Sequence, residues 1–285
     1  MKRDLTEGLT ACGIERSEAR REAELIIEHA SGLTIAQQVL KSGDPVDYEQ
    51  VRVMRSILRR RGKRMPLQYC LGYTYFMGLK LTVRREVLIP RSDTETLVTY
   101  AIDRLALREA PLIVDIGTGS GAIAIALLKH LPAARAIAID IAAPAVALAR
   151  QNAIAHGVLD RMRLVHCDWV ASLPDSADAI VANPPYIPRR QKSELAPEIA
   201  LYEPELALFG QGADGLSFYR RFSKIAAGHL SESGFVALEV GDKQWQEVTK
   251  ILTGTGWQSI ETHNDIHGLP RVVSAAPGKK PIFKL

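Results

Sequence analysis

The sequence predicts an α/β fold, a doubly wound, mostly parallel sheet of seven strands preceded by a small helical domain and joined to it by a β-hairpin. From Leu112 onward, short β-branched runs alternate with helical stretches, the order that parallel strands linked by crossover helices require. The first of those runs ends in a glycine-rich turn, a feature of the binding edge of open parallel sheets. Before it, roughly 65 residues carry only the helical period and one alternating segment follows them. The expected division is a helical domain over 1–70, a hairpin linker over 71–90 and the sheet domain over 91–285.

Each element has a local reason. Over 17–30, Ser17 stands at a capping position, and Ala19, Ala23, Ile26, Ile27 and Ala30 recur at helical spacing. A second helix is expected from about 47 to 61, with Val51, Met54, Ile57 and Leu58 on one face and arginines on the other. Tyr73, Thr74, Tyr75 and Phe76, then Met77 and Gly78, then Leu79, Leu81 and Val83 read as a hairpin with a short glycine-containing turn. Pro90 holds its predecessor extended, and Ser92 or Asp93 is placed to cap a helix reaching about Leu107. Strands are expected over 112–116, 136–140, 162–166, 179–182, 234–240, 257–262 and 271–275, with helices after the first two of them.

Composition sets the outer limits. With 285 residues and 47% hydrophobic, the chain has the apolar mass for a full core, which excludes a disordered or collagen-like protein and suits two domains. The net charge of +4 arises entirely within residues 1–95, which hold 17 basic and 13 acidic residues, against 19 of each beyond. That asymmetry points to an N-terminal surface for an acidic partner and is weaker than nucleic-acid binders show. Cys12, Cys70 and Cys167 form no paired motif, so neither a zinc site nor a disulfide framework is readable, and a reducing, cytoplasmic setting is expected. The opening MKRDLTEGLT lacks an apolar core, and Lys129 and Asp140 cut the longest apolar runs well short of the ~20 residues a membrane span needs.

The chemistry gathers at the carboxyl ends of the expected strands. Gly117, Gly119 and Gly121 let the chain turn sharply and let a ligand approach the backbone, although such a turn alone equally serves tight βα packing. Asp140, ending the second strand, is placed to accept from both hydroxyls of a ribose; otherwise it caps the helix near Ala143. Asp168, ending the third, can accept from an adenine amino group while Trp169 covers the ring; otherwise the two are a cap and a half-buried aromatic. The fourth strand delivers Asn183, Pro184, Pro185 and Tyr186. Proline lacks an N–H, so the Pro184 carbonyl is kept from a regular ladder, and with the Asn183 amide oxygen it offers two acceptors to one NH2 group. Tyr186 adds a flat face for a planar substrate.

Through VDIGTGSG (114–121), Asp140, Asp168 and NPPY (183–186), the chain resembles class I S-adenosylmethionine-dependent methyltransferases, whose sheet is Rossmann-like. More narrowly, PLQYCLG (66–72), YFMGL (75–79), LIPRSDTETLV (88–98), NPPYI (183–187) and HGLPRVV (267–273) resemble the bacterial glutamine N5-methyltransferases of peptide chain release factors, over essentially the whole chain. The resemblance implies S-adenosyl-L-methionine bound by Asp115, Gly117, Thr118, Gly119, Ser120, Gly121, Asp140, Asp168, Trp169 and Asn183, and no metal. It implies catalysis and substrate binding at Asn183, Pro184, Pro185 and Tyr186, a release factor as protein partner, no membrane or nucleic-acid partner, and a monomer. Two positions depart from the family pattern: Ser92 replaces a proline of PRPDTE, and Tyr75 stands where an acidic residue often precedes the hairpin Phe. Ser92 also resembles the enzymes that methylate a glutamine of a large-subunit ribosomal protein, but those lack the full DTE and the Gly-x-x-Arg-Val ending. A nucleic-acid amino-group methyltransferase, acting on adenine N6 or guanine N2, is the competing class; it needs a larger basic cleft, which the neutral residues 96–285 argue against.

An amide nitrogen is a poor nucleophile and a sulfonium methyl is already activated, so such an enzyme supplies position more than acid-base chemistry. Asn183 Oδ1 and the Pro184 carbonyl are expected to accept one N–H each from a substrate glutamine, and no dedicated base is identifiable. The run Arg52, Arg55, Arg59, Arg60, Arg61, Lys63 and Arg64 holds seven cations in 13 residues without an acid. It is either a solvated helix face or a dock for an acidic surface.

Overall fold

The computed structural model describes residues 1–41 and 43–278, so the end of the expected 91–285 domain, 279–285, lies outside the described residues. A first compact unit comprises Met1–Tyr73 together with Leu195–Tyr202. Its helices are α1 (Lys2–Ala11), α2 (Arg16–Ser31), α3 (Ile35–Leu40), α4 (Tyr48–Arg61) and α5 (Leu67–Leu71). The period over 17–30 and 47–61 marks α2 and α4. It passes over α1, which buries only Leu5 and Leu9, and α3, which buries nothing. The cap of α2 is Glu15 rather than Ser17: its carboxylate accepts from the backbone N–H of Ser17 at 3.0 Å and Glu18 at 3.2 Å. A carboxylate there satisfies two otherwise unpaired donors and complements the positive end of the helix dipole. Leu9, Ala19, Ala23, Ile26, Met54 and Ile57 pack as this unit's core.

The arginine run of α4 is neither a uniform solvated face nor a uniform dock. Arg61 is buried, and both oxygens of Glu22 accept from its Nε at 3.0 and 2.9 Å. Arg60 donates from Nη2 to the Cys70 carbonyl at 3.0 Å. Arg52, Arg55, Arg59 and Lys63 are exposed, Arg52 in an ion pair with Glu49.

The second unit comprises Thr74–Glu194 and the described residues from Glu203 onward. It opens with the hairpin β1 (Tyr73–Phe76) and β2 (Leu79–Thr82), joined through Met77 and Gly78 at φ +48° and +73°. A 3₁₀ turn over Ser92–Thr94 leads into α6 (Glu95–Leu105), so neither Ser92 nor Asp93 caps a long helix. Asp93, expected as a cap, pairs instead with Arg271 at 3.1 Å, and the residues after it also bond across the fold: Thr94 binds Asn183, and Glu95 accepts from the Met77 N–H at 2.7 Å. There follow β3 (Leu112–Ile116), α7 (Ala122–His130), β4 (Arg135–Asp140), α8 (Ala143–Ala155), β5 (Met162–His166) and β6 (Ala177–Ala182). After α9 (Pro197–Tyr202), which belongs to the first unit, the second resumes with the short α10 (Glu205–Leu208), then α11 (Ser217–Ile225), β7 (Leu230–Glu239), α12 (Trp245–Gly254), β8 (Gln258–Asn264) and β9 (Pro270–Ala276).

The seven strands form one sheet in the order β5-β4-β3-β6-β7-β9-β8, parallel from β5 to β7, with β9 antiparallel to both β7 and β8. The fold is a Rossmann-like α/β sheet. Side chains alternate across it: Ile113 joins the α6 and α7 residues on one face, while Val114 and Ile116 join Tyr219 and Phe222 on the other. The chain lays β4 and β5 on one side of β3 and returns to lay β6 on the other. A crevice therefore opens beyond the carboxyl ends of β3, β4 and β6, at the point where open parallel sheets bind ligands. No helix among the described residues is long and apolar enough to cross a membrane.

Candidate functional site

The loop after β3 is built from left-handed glycines. At Gly121, φ is +84°, and an added Cβ would lie 2.9 Å from Ile125 Cδ1 and 3.2 Å from Ala149 Cβ, so a side chain would meet both strain and collision. The N–H groups of Gly117 and Thr118 donate to the Ile139 carbonyl at 2.8 and 3.0 Å, which ties the loop to the end of β4. Asp115 lies beneath it, fully buried. Its Oδ2 accepts from Thr118 Oγ1 at 2.7 Å and the Ala124 N–H at 3.3 Å, and its Oδ1 has no partner among the described residues. Burial raises this carboxyl to about 7 against those two hydrogen bonds.

Asp140 bridges the glycine loop and the approach to α8, although the N-cap of α8 is Ala142 and carries no side-chain cap bond. Its Oδ1 accepts from the Ala142 N–H at 2.9 Å, shaping the entry to α8, and its Oδ2 accepts from the Gly119 N–H at 2.8 Å, while the residue lines the crevice. Burial raises its pKa, opposed by those backbone donors. Asp168 has a partner that no sequence signal announced: Arg221 of α11, whose Nη1 donates to Oδ2 at 2.8 Å and whose guanidinium lies 5.2 Å from the Trp169 ring centre. Trp169 is itself buried beside Phe218 and Phe222, with ring centres 5.8 and 5.9 Å away.

At the end of β6, the Asn183 amide is held by its nitrogen. Nδ2 donates to Thr94 Oγ1 at 3.0 Å, which leaves Oδ1 as the free end. Among the described residues, neither Asn183 Oδ1 nor the Pro184 carbonyl accepts a hydrogen bond, and both residues line the crevice. Tyr186 does not line it. Its hydroxyl donates to Glu239 Oε1 at 3.4 Å, its carbonyl accepts from Gln244 Nε2 at 2.9 Å, and its ring edge fills the space a Cβ on Gly241 would need. Burial first, and the nearby Glu239 charge second, raise the Tyr186 phenol. Glu239 is buried in turn, and burial lifts it to about 7 against the Thr94 hydroxyl and Arg271.

Glu239 and Asp115 thus hold a proton more tightly in the folded chain than at their ordinary values of 4.5 and 3.8. Their contribution to stability is complete below those values and is lost as pH rises through about 7. Glu239→Gln, which keeps the shape without the proton, is expected to have a shallower fall in Tm than the parent between pH 5 and pH 8. Parallel melting curves in that range would contradict it.

The crevice encloses about 310 Å³ and is lined by the glycine loop, Asp140, Ile141, Asp168, Trp169, Asn183 and Pro184, together with Arg91, Thr94, Phe218 and Arg221. A nucleoside carrying a charged amino-acid chain fits this set. Loop backbone without Cβ atoms admits close approach, Asp140 retains lone pairs for hydroxyls, apolar walls suit a base, and the unpartnered Asp115 Oδ1 is an acceptor beside the loop. Thr94, Glu239, Arg91 and Arg221 escaped sequence reasoning, because each acts through a partner remote in the chain. The DTE run was the one available signal for Thr94. Ser92 is exposed and outside the lining, and Tyr75 is exposed too, so the two departures from the family pattern leave these contacts untouched. No cluster of three or more His, Cys, Asp or Glu placed to hold a metal occurs among the described residues.

The chain is similar to known proteins. Residues 3–72 match the family described as PrmC N-terminal domain, and residues 95–203 match the Methyltransferase small domain. The chain is 37% identical to the release factor glutamine methyltransferase of Cereibacter sphaeroides, over 94% of each chain. It is 39% identical to the one from Geobacter sulfurreducens, over 96% of this chain and 95% of the relative. A solved methyltransferase from Pyrococcus furiosus superimposes with a TM-score of 0.53 at 18% identity, covering 81% of this chain and 98% of that one, a likeness of fold.

Proposed function

The chain belongs to the release factor glutamine methyltransferase family and is an S-adenosylmethionine-dependent methyltransferase; from that premise, we propose that it methylates the side-chain amide nitrogen, N5, of the glutamine in the GGQ tripeptide of peptide chain release factors, in the cytoplasm. The observation that carries this reading is a pair of acceptors without a partner among the described residues, Asn183 Oδ1 and the Pro184 carbonyl, at the wall of the crevice. A primary amide has two N–H donors in one plane, and two fixed acceptors match them.

The cofactor, when bound, supplies an electrophilic methyl group on a sulfonium centre. The residues proposed to hold it are the 117–121 loop, Asp140 at the ribose, and Asp168 with Trp169 at the base. Asn183 and Pro184 hold the glutamine amide by its N–H groups, which leaves one face of the nitrogen open and favours the charge that develops there. Thr94 keeps Asn183 in the orientation that presents oxygen rather than nitrogen. The proton released after transfer goes to solvent.

Mass spectrometry of a release factor incubated with the protein and S-adenosylmethionine tests the reading: a gain of one methyl on the GGQ glutamine supports it. Methyl incorporation into ribosomal protein or DNA in place of the release factor contradicts it. Within the basic run, the exposed cations Arg55 and Arg59 form the proposed docking face, whereas Arg60 is engaged with Cys70. Reversing both to Glu is expected to raise KM for the release factor by about tenfold at low salt, with the difference shrinking as salt rises. An unchanged KM at low salt removes the docking face.

A further inference from the structure

The chain leaves the sheet unit after Glu194, contributes α9 to the helical unit and returns at Glu203. The stretch before α9 runs directly from the NPPY turn, and the stretch after it supplies Pro204, Leu206 and Ala207 to the crevice. What holds α9 is the end of α4. Arg61 Nη1 donates to Glu198 Oε1 at 2.7 Å, and Arg64 Nη2 donates to Glu198 Oε2 at 2.8 Å. One turn further on, the Tyr202 hydroxyl donates to the Lys63 carbonyl at 2.5 Å. Arg64 adopts φ +63°, a left-handed conformation that costs a non-glycine residue energy and persists where the surroundings enforce it. From that backbone its guanidinium reaches both Glu198 and the Gly13 carbonyl, the latter at 2.8 Å.

We propose that Glu198 is a positioning residue for methyl transfer: gripped by Arg61 and Arg64, it fixes α9 and thereby tethers, through the chain, the crevice-lining residues Asn183 to Pro185 that precede it and Pro204, Leu206 and Ala207 that follow it. This deepens the function proposed above and rests on it. Two cations of the basic run are therefore internal fasteners. Each oxygen of the carboxylate accepts from a different guanidinium, so two charge-assisted hydrogen bonds hold it. Removing Glu198 leaves Arg61 still chelated by Glu22, so the helical core keeps its buried charge compensated and the variant is expected to fold.

The loop between Tyr186 and α9 offers a readout independent of catalysis, because Arg189, Arg190 and Lys192 are trypsin sites on exposed or half-buried backbone. In the full-length protein with S-adenosylmethionine, Glu198→Ala is expected to lower kcat on release factor by about tenfold, as a small displacement of reacting groups does, with KM for the cofactor and Tm near wild type. Tryptic cleavage within 189–192 should quicken. Arg64→Ala should reproduce both effects in smaller measure, because Arg61 still holds Glu198, and the double variant should be no worse than Glu198→Ala alone, since the bond from Arg64 to α9 is already lost there. Unchanged kcat and unchanged tryptic rates in both single variants overturn the proposal, as does a fall in kcat that merely follows a fall in Tm. A wild-type protein inactive on release factor overturns the substrate reading instead; the tryptic rates, which need no substrate, then decide whether Glu198 tethers the loop.

Discussion

Replacing Asn183 by Ala is expected to lower the single-turnover rate of release factor methylation by ~10² to 10³, the usual loss for one preorganised contact to a reacting group. The size follows from how the amide is mounted. Its nitrogen is held by the buried Thr94 hydroxyl, so the oxygen is aligned before substrate arrives and no reorientation is needed during the reaction. Alanine removes the acceptor and leaves the Pro184 carbonyl to hold the substrate amide by one N–H, free to rotate about that bond. The affinity for S-adenosylmethionine should change far less than the rate. Thr94→Val, which keeps the bulk and deletes the anchor, should give a smaller loss, because Asn183 then presents oxygen only part of the time. Wild-type turnover in purified Asn183→Ala would remove the acceptor pair from the mechanism.

Asp140→Ala is expected to weaken S-adenosylmethionine binding by ~10²-fold or more. Hydrogen bonds to a charged group are worth about 1.5–3 kcal/mol each, and two ribose hydroxyls are proposed to bind this carboxylate. The substitution also frees the Gly119 N–H, so the glycine loop loses its bond to the end of β4 at the position facing the ligand. Asp140→Asn retains one acceptor and should fall between. Calorimetric titration with the cofactor measures both, and kcat at saturating cofactor should recover most of the wild-type value, since Asp140 is remote from the amide-binding pair in role. Binding within about threefold of wild type in Asp140→Ala would refute the ribose assignment.

Much of the fold was legible because its signals are local. A strand buried on both faces reads as a β-branched run, a covering helix as a 3.6-residue period, and a sharp βα turn as glycine. All seven strands lie where those patterns placed them, with ends shifted by a few residues. The motifs at the strand ends were legible for a related reason: the parallel topology brings the C-terminal ends of successive strands to one edge, so residues that end strands share a crevice. Local reasoning went astray where a polar side chain had a choice of partner. Ser17 was a plausible cap, but Glu15 reaches the same donors with a charge. Asp93 suits a helix start, but Arg271 takes it. The basic run was uniform as a string and divided as a structure, because the carboxylates that claim Arg61 lie 39 and 137 positions away.

The sequence by itself therefore determined the architecture, the glycine loop, the two strand-ending aspartates and the NPPY turn, all properties of short stretches whose conformation is set by neighbouring residues. Only the tertiary structure decided which end of the Asn183 amide is free, that Asp168 pairs with Arg221, and that α9 belongs to the helical unit through Glu198. Each of those outcomes depends on which donor meets which acceptor across 53 to 137 positions of chain, and spacing along a sequence carries no record of a pairing that folding alone brings within 3 Å.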